Sequence, residues 1–398
     1  MRENDPFFWG VSTSAHQVEG GTVNDWTEWE EGRAEAASVS ARARKWPEYI
    51  LRSFPSPIEP DNYRSRNAAE HFSRFRSDVE LMARLGVNAH RFSIEWSRIE
   101  PQEGEFNKDA IAHYREVIML LRERNIEPFV TLWHWTHPIW FQEKGGWESP
   151  DAVSTFLKYV ETIAKEFNGL VTYWIPLNEA GMWAADAYLF GRHPPGERSI
   201  AALVRVYFTL IRAHGRAYRM LKSVNSANEV GIAESMEYMA HALLRPLFDY
   251  FRNFFFVRRV ARDLDFIGVN YYKRVCLWGI GKNTSDMGWN IYPDGIGYFL
   301  RKLSLFKKPI YITENGIADA RDHRRADFLR QHIGEVIRAR GAGVTVRGYF
   351  HWSLLDNFEW NEGFWPRFGL FEVDYKTQER RMRESARVYK EIIEGFNV

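Results

Sequence analysis

Two glutamates stand where β-rich runs end. Pro309 introduces Ile310-Tyr311-Ile312-Thr313, a short apolar and β-branched run that closes in Glu314-Asn315-Gly316. The run Val171-Thr172-Tyr173-Trp174-Ile175-Pro176-Leu177 closes in Asn178-Glu179. An ionised carboxylate at a strand exit is costly to bury without a partner or a task. Two such carboxylates on one rim could cleave an acetal by dividing the labour. One, protonated, releases the leaving oxygen; the other, ionised, attacks the anomeric carbon or activates water. A gap of about 5–5.5 Å between them would give retention of configuration and a larger gap inversion, a choice that residue order leaves open.

The elements that must position these glutamates alternate along the chain. Residues 7–12 read as a first strand. The mixed stretch from about 26 to 63 reads as a long excursion before the first helix, with a small subdomain or a docking arm as the alternative. A helix over 68–85 then stops at Gly86, and a strand follows over 89–94. A helix capped by Asn107, a strand over 129–132, a helix opened by Ser149-Pro150 and the strand before Glu179 continue the pattern. Next come a helix near 200–222, a strand over 230–233, an aromatic helix around 243–260 and a strand over 266–270. The strand before Glu314, a helix near 324–340, a strand over 344–350 and a last helix over 384–394 complete it. About eight strand-helix units imply a closed (β/α)8 TIM barrel, one domain over residues 1–398, with its chemistry on the loops after the strands. An open doubly wound sheet is the alternative, but no glycine-rich phosphate loop follows the first strand.

Just past the proposed strands stand Gln17, His134, Asn178 with Glu179, Asn270 with Tyr271 and Tyr272, Glu314, and the segment 352–368. Amides and carboxylates take hydroxyl groups, and rings cover the apolar face of a sugar. An aromatic share of 16%, with sixteen Trp, suits that inventory beyond the needs of a core. His134 and His137 are three apart without an HExxH pattern, so neither a metal site nor a cofactor is expected. A net charge of +1 gives no whole-chain argument for nucleic acid or membrane binding. The sole cysteine, Cys276, excludes an intramolecular disulfide, and residues 1–6 lack the apolar run of a secretory signal. A cytoplasmic location is the expectation. The segment 243–260, with Phe248, Phe251, Phe254, Phe255 and Phe256 among arginines, is expected to pack on a barrel face; a membrane-surface or oligomer helix is the alternative.

At these residues the chain resembles glycoside hydrolase family 1, and the resemblance runs nearly end to end. Phe8-Trp9-Gly10 with Ser14-Ala15-His16-Gln17-Val18-Glu19-Gly20 resembles the family's opening signature, and Arg91-Phe92-Ser93-Ile94-Glu95-Trp96-Ser97-Arg98-Ile99 its second-strand signature. Ile312-Thr313-Glu314-Asn315-Gly316 resembles the nucleophile motif, and Trp352-Ser353-Leu354-Leu355-Asp356-Asn357-Phe358-Glu359-Trp360 the late sugar-binding loop. Wording such as Asn315-Gly316-Ile317-Ala318-Asp319 leans toward the archaeal-like branch.

The resemblance implies a retaining exo-β-glycosidase acting on terminal β-D-glucosyl residues, with β-galactosides and β-fucosides as secondary substrates. Glu314 would be the nucleophile and Glu179 the acid/base. Gln17, His134, Trp135, Asn178, Glu359 and Trp360 would hold the sugar's hydroxyls, Trp352 would be the stacking floor and Phe368 would line the site. Tyr272 would hydrogen-bond Glu314, Arg91 would place a positive charge beside it, Asn270 would be a supporting amide, and Trp289 would face the leaving group. The implied partners are small β-glycosides or oligosaccharides, with no nucleic acid, membrane or cofactor. The sequence departs from the family pattern at Ala180, where proline is usual, at Thr136, where aspartate is usual, and at Gly181, where a bulky residue is common. Rim loops trimmed near 234–262 would open the entrance and broaden the leaving groups accepted. Glu359, where a 6-phosphoglycosidase subgroup carries serine and lysine nearby, argues for unphosphorylated sugars. The alternative is a catalytically weak or silent sugar-binding barrel.

Overall fold

The structure, a computed structural model, describes residues 7–277, 281 and 283–396. Eight parallel strands close into a barrel: β1 (Phe8–Ser12), β2 (Ala89–Ser93), β3 (Glu127–Trp133), β4 (Tyr173–Leu177), β5 (Glu229–Met239), β6 (Phe266–Val275), β7 (Ile310–Asn315) and β8 (Val346–Trp352). Closure is made by β8 against β1, in register from Phe8 with Gly348 to Ser12 with Trp352. The predicted (β/α)8 barrel is the observed fold.

Inward side chains fill the lumen. Phe129, Phe266, Tyr311 and Phe350 pack there with Phe8 and Tyr173, and the Phe129 and Tyr173 rings stack 4.2 Å apart. Rings of this size need small neighbours on the next strand. A Cβ on Gly10 would collide with the Phe350 ring, so β1 approaches β8 only as glycine. Interdigitation of large and small residues makes this end a solid plug and leaves the opposite rim for a site.

Strand ends differ most from expectation. β5 runs on to Met239 and β6 to Val275, pairing with each other well past the rim. The helix Asp294–Leu303, which no sequence signal announced, buries Ile296, Phe299, Leu300 and Leu303 on one face. Its two glycines, poor helix formers, mask the periodicity; a Cβ on Gly295 would run into the Tyr271 hydroxyl. The predicted aromatic helix near 243–260 is three short pieces, Arg245–Phe248, the π-turn Asp249–Asn253 and Phe255–Val260. A hairpin of β9 (Phe371–Asp374) and β10 (Glu379–Met382) follows the barrel. In the excursion, Asn24 and Thr27 form a capping box for the helix Asp25–Arg42, and Ala34, Ala41 and Tyr63 cluster beneath it. Its Trp26 ring lies 4.7 Å from that of Trp360, so the excursion braces the rim.

Candidate active site

Glu314 is buried near the end of β7. The chain must turn at once, and a Cβ on Gly316 would collide with the Trp352 carbonyl oxygen, so only glycine fits there. Two groups face the Glu314 carboxylate as an anion requires. Arg91 of β2, fully buried, ion-pairs with its Oε1, and the Tyr272 hydroxyl of β6 donates to its Oε2 at 2.6 Å. Burial, then the charges of Glu314 and Glu179, push the Tyr272 phenol well above the ordinary range, so it stays a donor. The other arm of Arg91 donates to Asn178 Oδ1 at 2.6 Å.

Glu179 lies two residues past the end of β4 with φ +45°, in the left-handed region. For a residue with a Cβ that conformation costs on the order of 1–3 kcal/mol and must be held by its surroundings. Its N–H donates to the Ala233 carbonyl at 2.7 Å, and Asn270 Nδ2 donates to its Oε1 at 2.7 Å. Burial pushes the Glu179 carboxyl well above the ordinary carboxylate range, and the charge of Glu314 pushes the same way. Asn270 and Arg252 pull against them and lose. One carboxylate held beside a cation and one carboxyl kept protonated are the two states that acetal cleavage needs.

Asn178 links the two carboxyls to the sugar-binding wall. Its Oδ1 accepts from Arg91 and from Asn270, the latter at 3.2 Å, so its Nδ2 is the donor to His134 Nε2 at 3.1 Å. Burial, then the Arg91 charge, hold His134 well below the ordinary histidine range and therefore neutral. Its proton then sits on Nδ1, which is buried and has no protein partner among the described residues.

These groups open into one cavity of about 340 Å³. Gln17, His134, Trp135, Asn178, Glu179, Tyr272, Trp289, Glu314, Trp352, Glu359 and Trp360 all line it, as expected from sequence. The amide nitrogen of Gln17 donates to Asn357 Oδ1 at 3.0 Å, Phe358 O at 2.8 Å and Glu359 Oε2 at 3.2 Å. Burial, then the charges of Glu314 and Glu362, push Glu359 up to about 8. The His134 ring is nearly parallel to those of Trp360 and Trp352, at 6.1 and 6.2 Å. Arg91 and Asn270 lie behind the lining and act on it through Glu314, Asn178 and Glu179. Phe368, expected in the lining, backs it instead: it packs on Trp352 and Ala318, with the Tyr272 and Trp289 rings over it at 6.2 and 6.1 Å.

Two departures from the family pattern have structural answers. The N–H groups of Ala180 and Gly181, which open the helix Ala180–Tyr188, face the buried carboxyl of Glu234 on β5 and pull its pKa down against burial. A proline at 180 would lack its N–H, so alanine keeps a donor toward Glu234. Gly181 faces the Tyr207 hydroxyl, 2.9 Å from where a Cβ would sit, and Met182 beside it lines the cavity.

Sequence reading did not single out Met182, Asp186, Arg192, Glu237 and Lys273, which also line the cavity. Glu237 and Lys273 sit on the overrunning ends of β5 and β6, and Lys273 Nζ is 3.0 Å from Glu237 Oε1. Longer alternation in those strands is the signal that would have found them. Among the described residues, no three imidazole, thiol or carboxylate groups converge as metal ligands do.

Known proteins resemble this chain in sequence and fold over most or nearly all of its length. The β-glycosidase from Pyrococcus horikoshii superposes with a TM-score of 0.86 at 38% identity, covering 97% of this chain and 93% of that one. Beta-glucosidase A of Thermotoga maritima is 32% identical over 453 residues, covering 98% of this chain and 97% of its own. The beta-galactosidase of Saccharolobus solfataricus is 32% identical over 417 residues, covering 82% and 84%. The model of glycosyl hydrolase family 1 matches residues 3–243 and 278–397. With one glutamate just past β4 and the other on β7 of a closed barrel and this match around them, the chain belongs to glycosyl hydrolase family 1.

Proposed function

We propose that this enzyme is a retaining exo-β-glycosidase that hydrolyses terminal, non-reducing β-D-glucosyl residues and also accepts β-galactosides and β-fucosides. Glu314 attacks the anomeric carbon while Glu179 protonates the departing oxygen, giving a covalent glycosyl-enzyme. Glu179, now a carboxylate, takes a proton from water; that water breaks the ester to Glu314, and the sugar leaves with its original configuration. The observation that carries this reading is the meeting of the two carboxyls in one cavity. Glu314 is faced by Arg91 and Tyr272, whereas burial and the charge of Glu314 raise Glu179.

Gln17, His134, Glu359 and Asn178 hold the sugar's hydroxyls, Trp352 gives its apolar face a floor, and Trp289 meets the leaving group. Glu359, standing where the 6-phosphoglycosidase subgroup carries serine and lysine nearby, favours an unphosphorylated sugar. A silent sugar-binding barrel is the weaker reading, because both glutamates are present with their hydrogen-bond partners assembled. The single Cys276, with no second cysteine to pair, supports a cytoplasmic setting.

The test is hydrolysis of para-nitrophenyl β-glucoside, β-galactoside, β-fucoside and β-mannoside by the wild type and by Glu314→Ala with azide. The wild type should rank the glucoside first. Glu314→Ala should lose about 10³-fold or more in kcat and regain turnover with azide, releasing the α-glycosyl azide. Turnover of none of the four by folded wild type would leave the sugar-binding barrel as the reading.

A further inference from the structure

The face beside the cavity is unlike the rest of the molecule. It is built from the helix Ile200–Val224 and the short helical pieces of 245–260, and the latter lie between the two stretches matched by the family model. Over 243–262 there are five arginines and one acid, Asp249, which is buried against Tyr298 and Asn253. The helix Ile200–Val224 carries five basic residues and no acid. Four of these ten are ion-paired, Arg205 with Glu148, Arg219 with Asp263, Lys222 with Asp265 and Arg252 with Glu237, while Arg258 and Arg259 sit among exposed rings with no acidic partner among the described residues.

An apolar ridge runs through this basic field. Leu243, Leu247 and Phe251 recur four residues apart and are 95%, 63% and 60% exposed. The ridge is continuous with the long helix: Phe251 meets Tyr250 at 4.9 Å, Tyr250 meets Phe255 at 6.4 Å and Phe255 meets Phe208 at 6.5 Å. Cations are seated among the rings, with Arg258 over Tyr250 at 5.1 Å and Arg259 over both Phe255 and Phe208. The underside reaches the cavity wall, because Arg252 donates to the Ser235 carbonyl at 3.0 Å and its guanidinium touches Met182.

Exposed leucines and phenylalanines lined up among arginines suit an interface that is apolar within and anionic at its surface. We propose that this ridge docks on an anionic lipid bilayer, its leucines and Phe251 entering the headgroup layer and its arginines meeting lipid phosphates, with the cavity beside it. A second copy of the chain fits less well: a two-fold interface would set the same arginines against each other. Nucleic acid would use the charge but leave the ridge bare. Bilayer docking is the membrane-surface alternative for residues 243–260.

The test is co-sedimentation of the full chain with phosphatidylcholine vesicles, with and without about one-third phosphatidylglycerol. The wild type should partition onto the anionic vesicles about tenfold or more above the neutral ones, and salt should weaken binding. Leu247→Glu with Phe251→Glu should cut that partitioning by about tenfold, with hydrolysis of a soluble aryl glycoside and thermal melting unchanged. Arg258→Glu with Arg259→Glu should remove the preference for anionic vesicles. Three results would overturn the proposal: no sedimentation with anionic vesicles, binding that neither double variant alters, or a dimer in solution that Leu247→Glu with Phe251→Glu converts to monomer.

Discussion

At the scale of single residues, the site works by setting two chemically identical side chains in opposite surroundings. Glu314 has a cation and a phenol; Glu179 has an amide, burial and a negative neighbour. The second influence on Glu179, the charge of Glu314, can be removed while the first is kept. Glu314→Gln should therefore lower the Glu179 pKa, yet leave it above about 4.3 because burial persists. Carboxyl carbon NMR titration of the variant against wild type measures this directly. An unchanged Glu179 would mean that burial alone sets its proton.

At the scale of elements, the late loop that carries Trp352, Glu359 and Trp360 hangs on one buried carboxylate. Asp356 takes two bonds from Arg383, at 2.8 and 2.9 Å, and one from the Gly369 N–H at 2.9 Å, with Arg367 at 3.6 Å. Burial alone would raise its carboxyl, but Arg383 and Arg367 outweigh burial and hold it below the ordinary aspartate range. Asp356→Asn keeps the shape, removes the charge and leaves two buried guanidiniums short of a partner. It should cost about 3–5 kcal/mol in denaturant unfolding and weaken sugar binding by loosening the loop. Because the folded pKa is depressed, the stability from Asp356 is present above its unfolded value of about 3.9 and fades as pH falls below it. The variant should therefore show a shallower loss of stability in acid than wild type.

At the scale of the whole molecule, buried carboxyls whose pKa is raised, unlike that of Asp356, make stability fall as pH rises. Glu234 and Glu359 are both pushed up to about 8 by burial, so the unfolded chain releases protons that the folded chain keeps. Between the unfolded value of about 4.3 and the folded value, each lowers stability with increasing pH, and the loss levels off above it. Glu234 is the cleaner probe, since one of its oxygens has no hydrogen-bond partner among the described residues. Glu234→Gln should leave stability near wild type at about pH 5 and raise it at about pH 8 by on the order of 1–3 kcal/mol. Thermal unfolding of both proteins across that range gives the comparison; an equal change at both ends would mean that Glu234 does not titrate in this window.

Residue order determined the barrel, because alternation of strands and helices leaves few ways to close a sheet, and it determined both glutamates, because each interrupts a β-rich run at its end. Helix ends signalled by Gly86 and Asn107 were equally legible, since their caps are local: Gly86 takes the left-handed conformation, and the Asn107 side chain accepts from two N–H groups. The tryptophans were legible only as a type. Seven are among the largest fully buried side chains and serve packing, while Trp135, Trp289, Trp352 and Trp360 line the cavity. No local pattern separates the two uses, because both put a ring against an apolar surface. Tertiary structure alone decided the proton on His134, the burial of Glu234 near Glu179 and the place of Phe368 behind the wall. It also brought Phe208 and Phe255, from separate segments, into one exposed face. Each depends on contacts between strands or helices distant in sequence, and such contacts exist only once the barrel has closed.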